Sequence, residues 1–127
     1  MISTALVFIG AGIGGALRHG VNLASLRWPG LTFPLGTMAI NIVGSGAMGL
    51  VVGWFAFRAG EGVPHGMRLF LATGVLGGFT TFSAFSLDAM LLWERGETML
   101  AASYVVGSVV LSLAALTGGM ALMRGLS

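Results

Sequence analysis

The chain has 127 residues, of which 56% are hydrophobic and only 8% are charged. Soluble domains usually carry about 25% charged residues, so this composition excludes an ordinary water-soluble globule. The formal net charge is +2, but all six basic residues are isolated arginines without a cluster or a stripe, which argues against a nucleic-acid partner. The sequence has no cysteine, so disulfides and thiolate metal sites are also excluded.

Four apolar stretches follow one another and predict a single all-α integral membrane domain over residues 1–127. We expect helices at roughly 3–26, 33–58, 66–94 and 97–124. Each is long enough to cross about 30 Å of hydrocarbon at about 1.5 Å per residue. A cleaved signal peptide is the alternative for the first stretch. No Lys or Arg precedes Arg18, however, so the basic region that such a signal needs is missing.

Small residues predict where the first two helices pack. Helices in lipid associate through close contact of small residues and through polar groups, and the first stretch has Gly10 and Gly14 at a suitable spacing. The second stretch carries small or polar residues on one face: Asn41, Ser45, Gly49 and Gly53. We expect the glycines to form a packing groove and the Asn41 amide to need hydrogen-bond partners.

The third stretch contains a run that is unusual in lipid, GVLGGFTTFSAF at residues 74–85. Adjacent glycines beside several hydroxyls predict an unwound turn, and we place the break near residues 75–81. Irregular backbone at membrane depth is tolerated only inside protein or along a wet cavity, where freed carbonyls can coordinate a cation. Phe82 and Phe85 share one face of the following helix, and the partial positive charge of aromatic edges favours a small anion. Ordinary core packing of these rings is the alternative.

The fourth stretch carries a ladder of hydroxyls, since Tyr104, Ser108 and Ser112 are each four residues apart. Each serine could bond back to its own helix, which would explain any one of them. A tyrosine and two serines on one stripe of an apolar helix indicate instead a polar track of the kind that a hydrated solute needs.

The arginines are divided evenly between the two sides of the membrane. In a four-span chain, one side holds Arg58, Arg68 and Arg124, and the other holds Arg18, Arg27 and Arg95. Because the Lys/Arg bias of short loops sets orientation, the chain has no preferred way to insert. Either the first helix sets the orientation weakly, or copies insert both ways and pair as an antiparallel dimer.

Three segments together resemble the Fluc/CrcB family of fluoride channels. The run GGFTTFSAFSLD (77–88) looks like the phenylalanine-box signature of that family, and PLGTMAINIVGSGAMG (34–49) is similar to its second-helix pattern. The segment GGALRH (14–19) matches the family's Gly-Ala-x-x-Arg segment more loosely. The resemblance covers three of the four helices and agrees in length and topology.

The resemblance implies a channel in the bacterial inner (plasma) membrane that exports fluoride passively from the cytoplasm. It also implies an antiparallel dual-topology homodimer in the lipid bilayer, with two separate pores and a structural sodium ion at the dimer centre. The backbone carbonyls of Gly77 and Thr80 would then hold the sodium ion, and Arg18 would lie in the vestibule. The anion pathway would be lined by Asn41, Thr81, Phe82, Ser83, Phe85, Tyr104, Ser108 and Ser112.

This chain departs from the family pattern at three positions. Ala84 stands where threonine is common, Asp88 where glutamate is common and His19 where tyrosine is common. The first departure removes one hydroxyl near the rings and leaves the carbonyl assignment untouched. The other two concern residues near the membrane surface.

Two other functions are open to a four-span chain of this size. A small dual-topology multidrug or cation exporter would couple to protons through an acid deep in a span. The acids of this chain lie at or near predicted span ends: Glu61, Asp88, Glu94 and Glu97. A non-transporting membrane accessory subunit would leave the broken third span unexplained. No catalytic constellation is visible in the sequence, so we do not expect an enzyme.

Overall fold

Long helices make up the computed structural model, which describes residues 1–27, 33–60 and 62–126. They are α1 (Ile2–Ser25), α2 (Leu35–Phe57), a composite third stretch (His65–Glu94) and α6 (Thr98–Leu126). The third stretch consists of α3 (His65–Arg68), a π-helical segment (Leu69–Leu76), α4 (Gly77–Phe79) and α5 (Phe82–Glu94). Within the described ranges, four stretches are long and apolar enough to cross a membrane, which confirms the predicted all-α membrane class. Most of the connection predicted near residues 27–33, and the acid Glu61, lie outside the described residues.

The backbones of α1 and the third stretch touch through glycines. A Cβ atom added to Gly10 would lie 2.7 Å from the carbonyl oxygen of Phe70, and one added to Gly14 would overlap the carbonyl oxygen of Val75. Such close approach is possible only because neither glycine has a side chain. The two contacts advance in the same direction along both stretches, so the stretches run parallel, as alternate spans of a four-span chain should. The packing predicted for Gly10 and Gly14 is confirmed.

A second close crossing joins α2 to α6. A Cβ atom on Gly49 would overlap the carbonyl oxygen of Leu116, and one on Gly53 would lie 2.8 Å from Cβ of Met123. Both glycines are buried. The glycines predicted to form a packing face on the second helix therefore do so, and they bring the polar residues of α2 against the hydroxyls of α6.

The backbone of the third stretch is extended at Thr80 (φ −80°, ψ 156°) and Thr81 (φ −148°, ψ 121°). The glycine pair that predicted an unwound turn is itself helical, since Gly77 has φ −63° and ψ −38° and Gly78 lies within α4. The prediction that these glycines unwind was wrong for a packing reason. A Cβ atom on Gly78 would lie 2.5 Å from the carbonyl oxygen of Ala11, so this glycine permits contact with α1 and the extended backbone follows it.

Two arginines lie over aromatic rings at the end of the bundle where α2 and α6 finish. The guanidinium carbon of Arg68 is 5.1 Å from the ring centroid of Phe55, and that of Arg124 is 4.9 Å from the ring centroid of Phe57. A cation over an aromatic face is held by electrostatic attraction. Arg68 and Arg124 are two of the three arginines that the sequence places together on one side of the membrane, and these ring contacts hold their side chains.

Candidate functional site

A groove of about 310 Å³ lies between α2, the extended part of the third stretch and α6. It is lined by Asn41, Ser45, Thr80, Thr81, Phe82, Phe85, Ser108, Val109, Ser112 and Leu113. Of the residues predicted to line an anion pathway, the groove brings together Asn41, Thr81, Phe82, Phe85, Ser108 and Ser112. One wall is open, because the Phe82 side chain at its edge is 78% exposed.

Asn41 on α2 holds the backbone of Thr81 in place. The Asn41 amide nitrogen donates to the carbonyl oxygen of Thr81 at 3.0 Å, and the Thr81 N–H donates to the amide oxygen of Asn41 at 2.9 Å. Thr81 is 7% exposed, so its backbone groups need partners within the protein. An asparagine amide has a second N–H donor and a second oxygen lone pair, so Asn41 can hold Thr81 and still present a donor to the groove.

The hydroxyls next to this contact mainly cap helices. The Thr81 hydroxyl accepts from the Ala84 N–H at 3.2 Å, which starts α5 in the way an N-cap threonine does. The Thr80 hydroxyl donates to the carbonyl oxygen of Leu76 at 3.0 Å. Ser83 was predicted to line the pathway, but its side chain is exposed and lies outside the residues that line the groove.

Two carbonyls of the third stretch lose the N–H partners that a continuous α-helix would give them. The N–H of Thr81 would bond to the carbonyl of Gly77, four residues earlier, but it donates to Asn41 instead. The N–H of Ala84 would bond to the carbonyl of Thr80, but it donates to the Thr81 hydroxyl. These are the two carbonyls to which the family resemblance assigns a cation.

Carboxylate, imidazole and thiolate ligands are not grouped in the described part of the chain, where no three such side chains could hold a metal ion together. Oxygen donors from backbone carbonyls suit a hard cation. The carbonyls of Gly77 and Thr80 therefore fit the implied sodium ion in donor chemistry. A Cβ atom added to Gly77 would make only an ordinary contact, at 3.6 Å from the Ala72 carbonyl oxygen.

Ser108 is the most deeply buried hydroxyl of the groove. It is only 4% exposed, and its oxygen has no hydrogen-bond partner among the described residues. Buried polar groups are nearly always hydrogen-bonded, so an unmatched one needs an explanation such as a bound water or ion. Ser112, one turn further along α6, also lines the groove. The two serines form the part of the predicted ladder that reaches the site.

Tyr104, the third member of that ladder, does not line the groove. It is fully buried, and its hydroxyl donates to Oδ2 of Asp88 at 3.3 Å. Its ring lies 5.2 Å from the ring of Phe85, which is in turn 5.7 Å from the ring of Phe82. The prediction that Phe82 and Phe85 share a face agrees with this geometry. Tyr104 therefore packs behind Phe85, a residue that lines the groove, and does not line the groove itself.

Sequence reasoning missed two kinds of residue here. Ser45 lines the groove and lies one turn from Asn41 on the face that was identified, so the spacing could have found it. The contact of Asp88 with Tyr104 joins two different helices, and no pattern within either helix indicates it.

Arg18, which the family resemblance assigns to the vestibule, is half-buried on α1 and lies outside the groove.

Comparisons with known proteins cover almost the whole chain. The profile of the family described as CrcB-like protein, Camphor Resistance (CrcB), matches residues 5–120. The chain is 60% identical over 124 residues to the fluoride-specific ion channel FluC of Methylobacterium nodulans, with 98% of each chain covered. It is 56% identical over 126 residues to the protein of that name from Granulibacter bethesdensis, with 99% of this chain and 98% of the relative covered. The protein of that name from Beijerinckia indica is 54% identical over 127 residues, with 100% of both chains covered. The chain is therefore a multi-pass protein of the bacterial inner membrane that belongs to the CrcB family.

Proposed function

We propose that this chain is a fluoride-selective channel, not an enzyme, and that it lets fluoride leave the cytoplasm passively. The observation that carries the proposal is the groove in which an asparagine amide, an unmatched buried serine hydroxyl and two phenylalanine rings meet between three apolar helical stretches. The names of the relatives support fluoride as the anion. A cell in mild acid would take up the neutral acid, and the anion would then be trapped until a channel released it.

The groove chemistry suits a small anion that gives up its water. Fluoride is strongly hydrated, so a pathway must offer donors in place of water. The second N–H of Asn41, the hydroxyls of Ser108 and Ser112, and the ring edges of Phe82 and Phe85 are such donors. Chloride is larger and gains less from close donors, so a narrow track of this kind would reject it.

An antiparallel dimer would complete the pathway. The groove is open along the edge where Phe82 is exposed, so a second copy could cover this wall and enclose one pore per chain. The even division of arginines supports dual topology, because neither side carries a Lys/Arg excess to set orientation. Self-pairing is our proposal over a heterodimer with a paralogue, because a chain with balanced charge can supply both orientations itself.

For the sodium ion we propose the backbone carbonyls of Gly77 and Thr80 as ligands. The support is that Asn41 and the Thr81 hydroxyl take up the N–H groups that would otherwise occupy these carbonyls. When bound at a dimer centre, the ion would supply fixed positive charge that neutralises the carbonyl dipoles of both copies. Thr81 and Asn41 would act by keeping these oxygens available.

The dual-topology part of the proposal is tested by adding arginines. Extra arginines at only one end of the chain should give copies of one orientation, which cannot form an antiparallel pair. Fluoride export should then be lost, and it should return when copies biased in the two opposite directions are expressed together. Unchanged export by a single biased copy would refute dual topology.

The export function itself is tested in cells. Expression in a bacterial strain that lacks its own fluoride export should restore growth in fluoride-containing medium at mildly acid pH. The variant Phe82→Ile, made to the same membrane level, should restore growth less well, because it loses the exposed ring at the groove. A strain that stays sensitive despite normal amounts of protein in the membrane would contradict the proposal.

A further inference from the structure

Tyr104 is the only tyrosine of the chain, and it contacts residues of two other helices behind the groove residue Phe85. Its ring packs against Phe85 on α5, and its hydroxyl donates to Asp88 on the same helix. Met38, near the start of α2, packs against the buried cluster that contains Tyr104. Tyr104 on α6 therefore ties the helix that carries the groove rings to the start of α2.

Phe33 is the second ring that contacts Tyr104. It lies just before α2, with its ring centroid 5.6 Å from that of Tyr104 and the two planes at 87°. This edge-to-face arrangement is favourable beyond simple apolar burial, because it brings a positive ring edge against a negative ring face. The segment that leads into α2 thus contacts the ring of Tyr104 through Phe33.

We infer that Phe33 is a positioning residue for the anion pathway and acts by holding Tyr104 in place. The inference rests on the proposed channel function. With its ring fixed between Phe33 and Phe85, Tyr104 keeps its hydroxyl on the Asp88 carboxylate. If the ring were loose, Asp88 would lose this donor and present a less compensated negative charge near the groove. Such a charge repels an anion.

A purely structural role for Phe33 has to be separated from this one. Phe33 precedes the N-cap residue Pro34, and Phe33 and Met38 pack against the same buried cluster around Tyr104. A hydrophobic pair across the first turn of a helix fixes the direction in which the chain enters it. Met38→Ala removes this pair and leaves the ring contact between Phe33 and Tyr104, so it is the matched control.

The single tyrosine makes a direct test possible. Fluorotyrosine incorporated into the full-length protein labels Tyr104 alone, so fluorine NMR of the protein in nanodiscs reports on this one ring. Phe33→Leu keeps an apolar side chain of similar size but removes the ring edge. We expect its fluorine signal to move toward the position in the unfolded protein, and fluoride efflux from liposomes to fall between about twofold and about tenfold. Met38→Ala keeps the ring contact between Phe33 and Tyr104, so we expect clearly smaller changes in the signal and the efflux than with Phe33→Leu.

A double mutant shows whether Phe33 acts through the tyrosine hydroxyl. If it does, adding Phe33→Leu to Tyr104→Phe should lower the efflux little further, because coupled residues are not additive. The inference is overturned if Phe33→Leu leaves the fluorine signal unchanged, if Met38→Ala reproduces the whole effect, or if the two efflux losses are additive. A wild-type protein without fluoride efflux would refute the channel function and the effect on flux. The fluorine signal of Phe33→Leu would then still decide whether Phe33 holds Tyr104.

Discussion

The side-chain amide of Asn41 binds both backbone groups of a single residue, Thr81, with one hydrogen bond of 3.0 Å and one of 2.9 Å. Because the backbone of Thr81 is extended, its N–H and carbonyl groups do not form the hydrogen bonds of a continuous α-helix. The Asn41 amide supplies a partner for each of them. Asn41 therefore joins α2 to the third stretch at the wall of the groove. It also keeps the N–H of Thr81 away from the carbonyl of Gly77.

Asn41→Ala should destabilise the protein strongly. It leaves two buried backbone groups of Thr81 without partners, and each unsatisfied group costs about 1–3 kcal/mol. We expect the free energy of unfolding in detergent, followed by tryptophan fluorescence, to fall by at least about 2 kcal/mol. Asn22→Ala removes an exposed amide on α1 and should have little effect. Equal losses in the two variants would show that the Asn41 hydrogen bonds are unimportant for stability.

Two glycines of α1, one at the contact with the third stretch and one away from it, allow a controlled test of that helix crossing. Gly14→Ala would drive a methyl group into the carbonyl oxygen of Val75, whereas an added Cβ on Gly12 meets no described atom within 4 Å. Overpacking of this kind costs about 1–3 kcal/mol, so Gly14→Ala should lower the thermal unfolding temperature clearly. Gly12→Ala should be neutral or slightly stabilising, because alanine favours a helix by up to about 1 kcal/mol over glycine. If both variants melt alike, the crossing is not where we place it.

Ser108 separates a role in stability from a role in transport. Its buried hydroxyl has no partner among the described residues, so Ser108→Ala removes an unsatisfied group and should leave the unfolding temperature unchanged or slightly higher. If this hydroxyl replaces water around the anion, the same variant should lower fluoride efflux severalfold. Ser103→Ala, at an exposed position of α6, should change neither quantity. Reduced stability together with normal efflux in Ser108→Ala would assign Ser108 to the structure alone.

Much of the fold follows from composition and spacing. Long uncharged stretches predict the helices, and the four-residue spacing of small residues predicts the crossings at Gly14 and Gly49, because these signals are local in sequence. The same locality explains the wrong interpretation of Gly78. A glycine that permits unwinding and a glycine that permits close packing look alike until the neighbouring helix is known, and here that neighbour is the backbone of Ala11.

The site was predictable where its residues repeat along one helix. Ser108 and Ser112 face the groove as their spacing indicates. Tyr104 has the same spacing, but the ring of Phe33 packs against its ring and the carboxylate of Asp88 accepts a hydrogen bond from its hydroxyl. Those partners are far apart in the chain, so a single sequence gives no sign of them. The same is true of the hydrogen bonds between Asn41 and Thr81, forty residues apart.

We expect the purified protein to conduct fluoride and to reject chloride. The most direct measurement is the efflux of each anion from liposomes that contain the purified full-length chain, followed with ion-selective electrodes. A fluoride-selective channel should give rapid fluoride efflux, with chloride efflux no faster than from protein-free liposomes. No fluoride efflux, or equal efflux of the two anions, would contradict it.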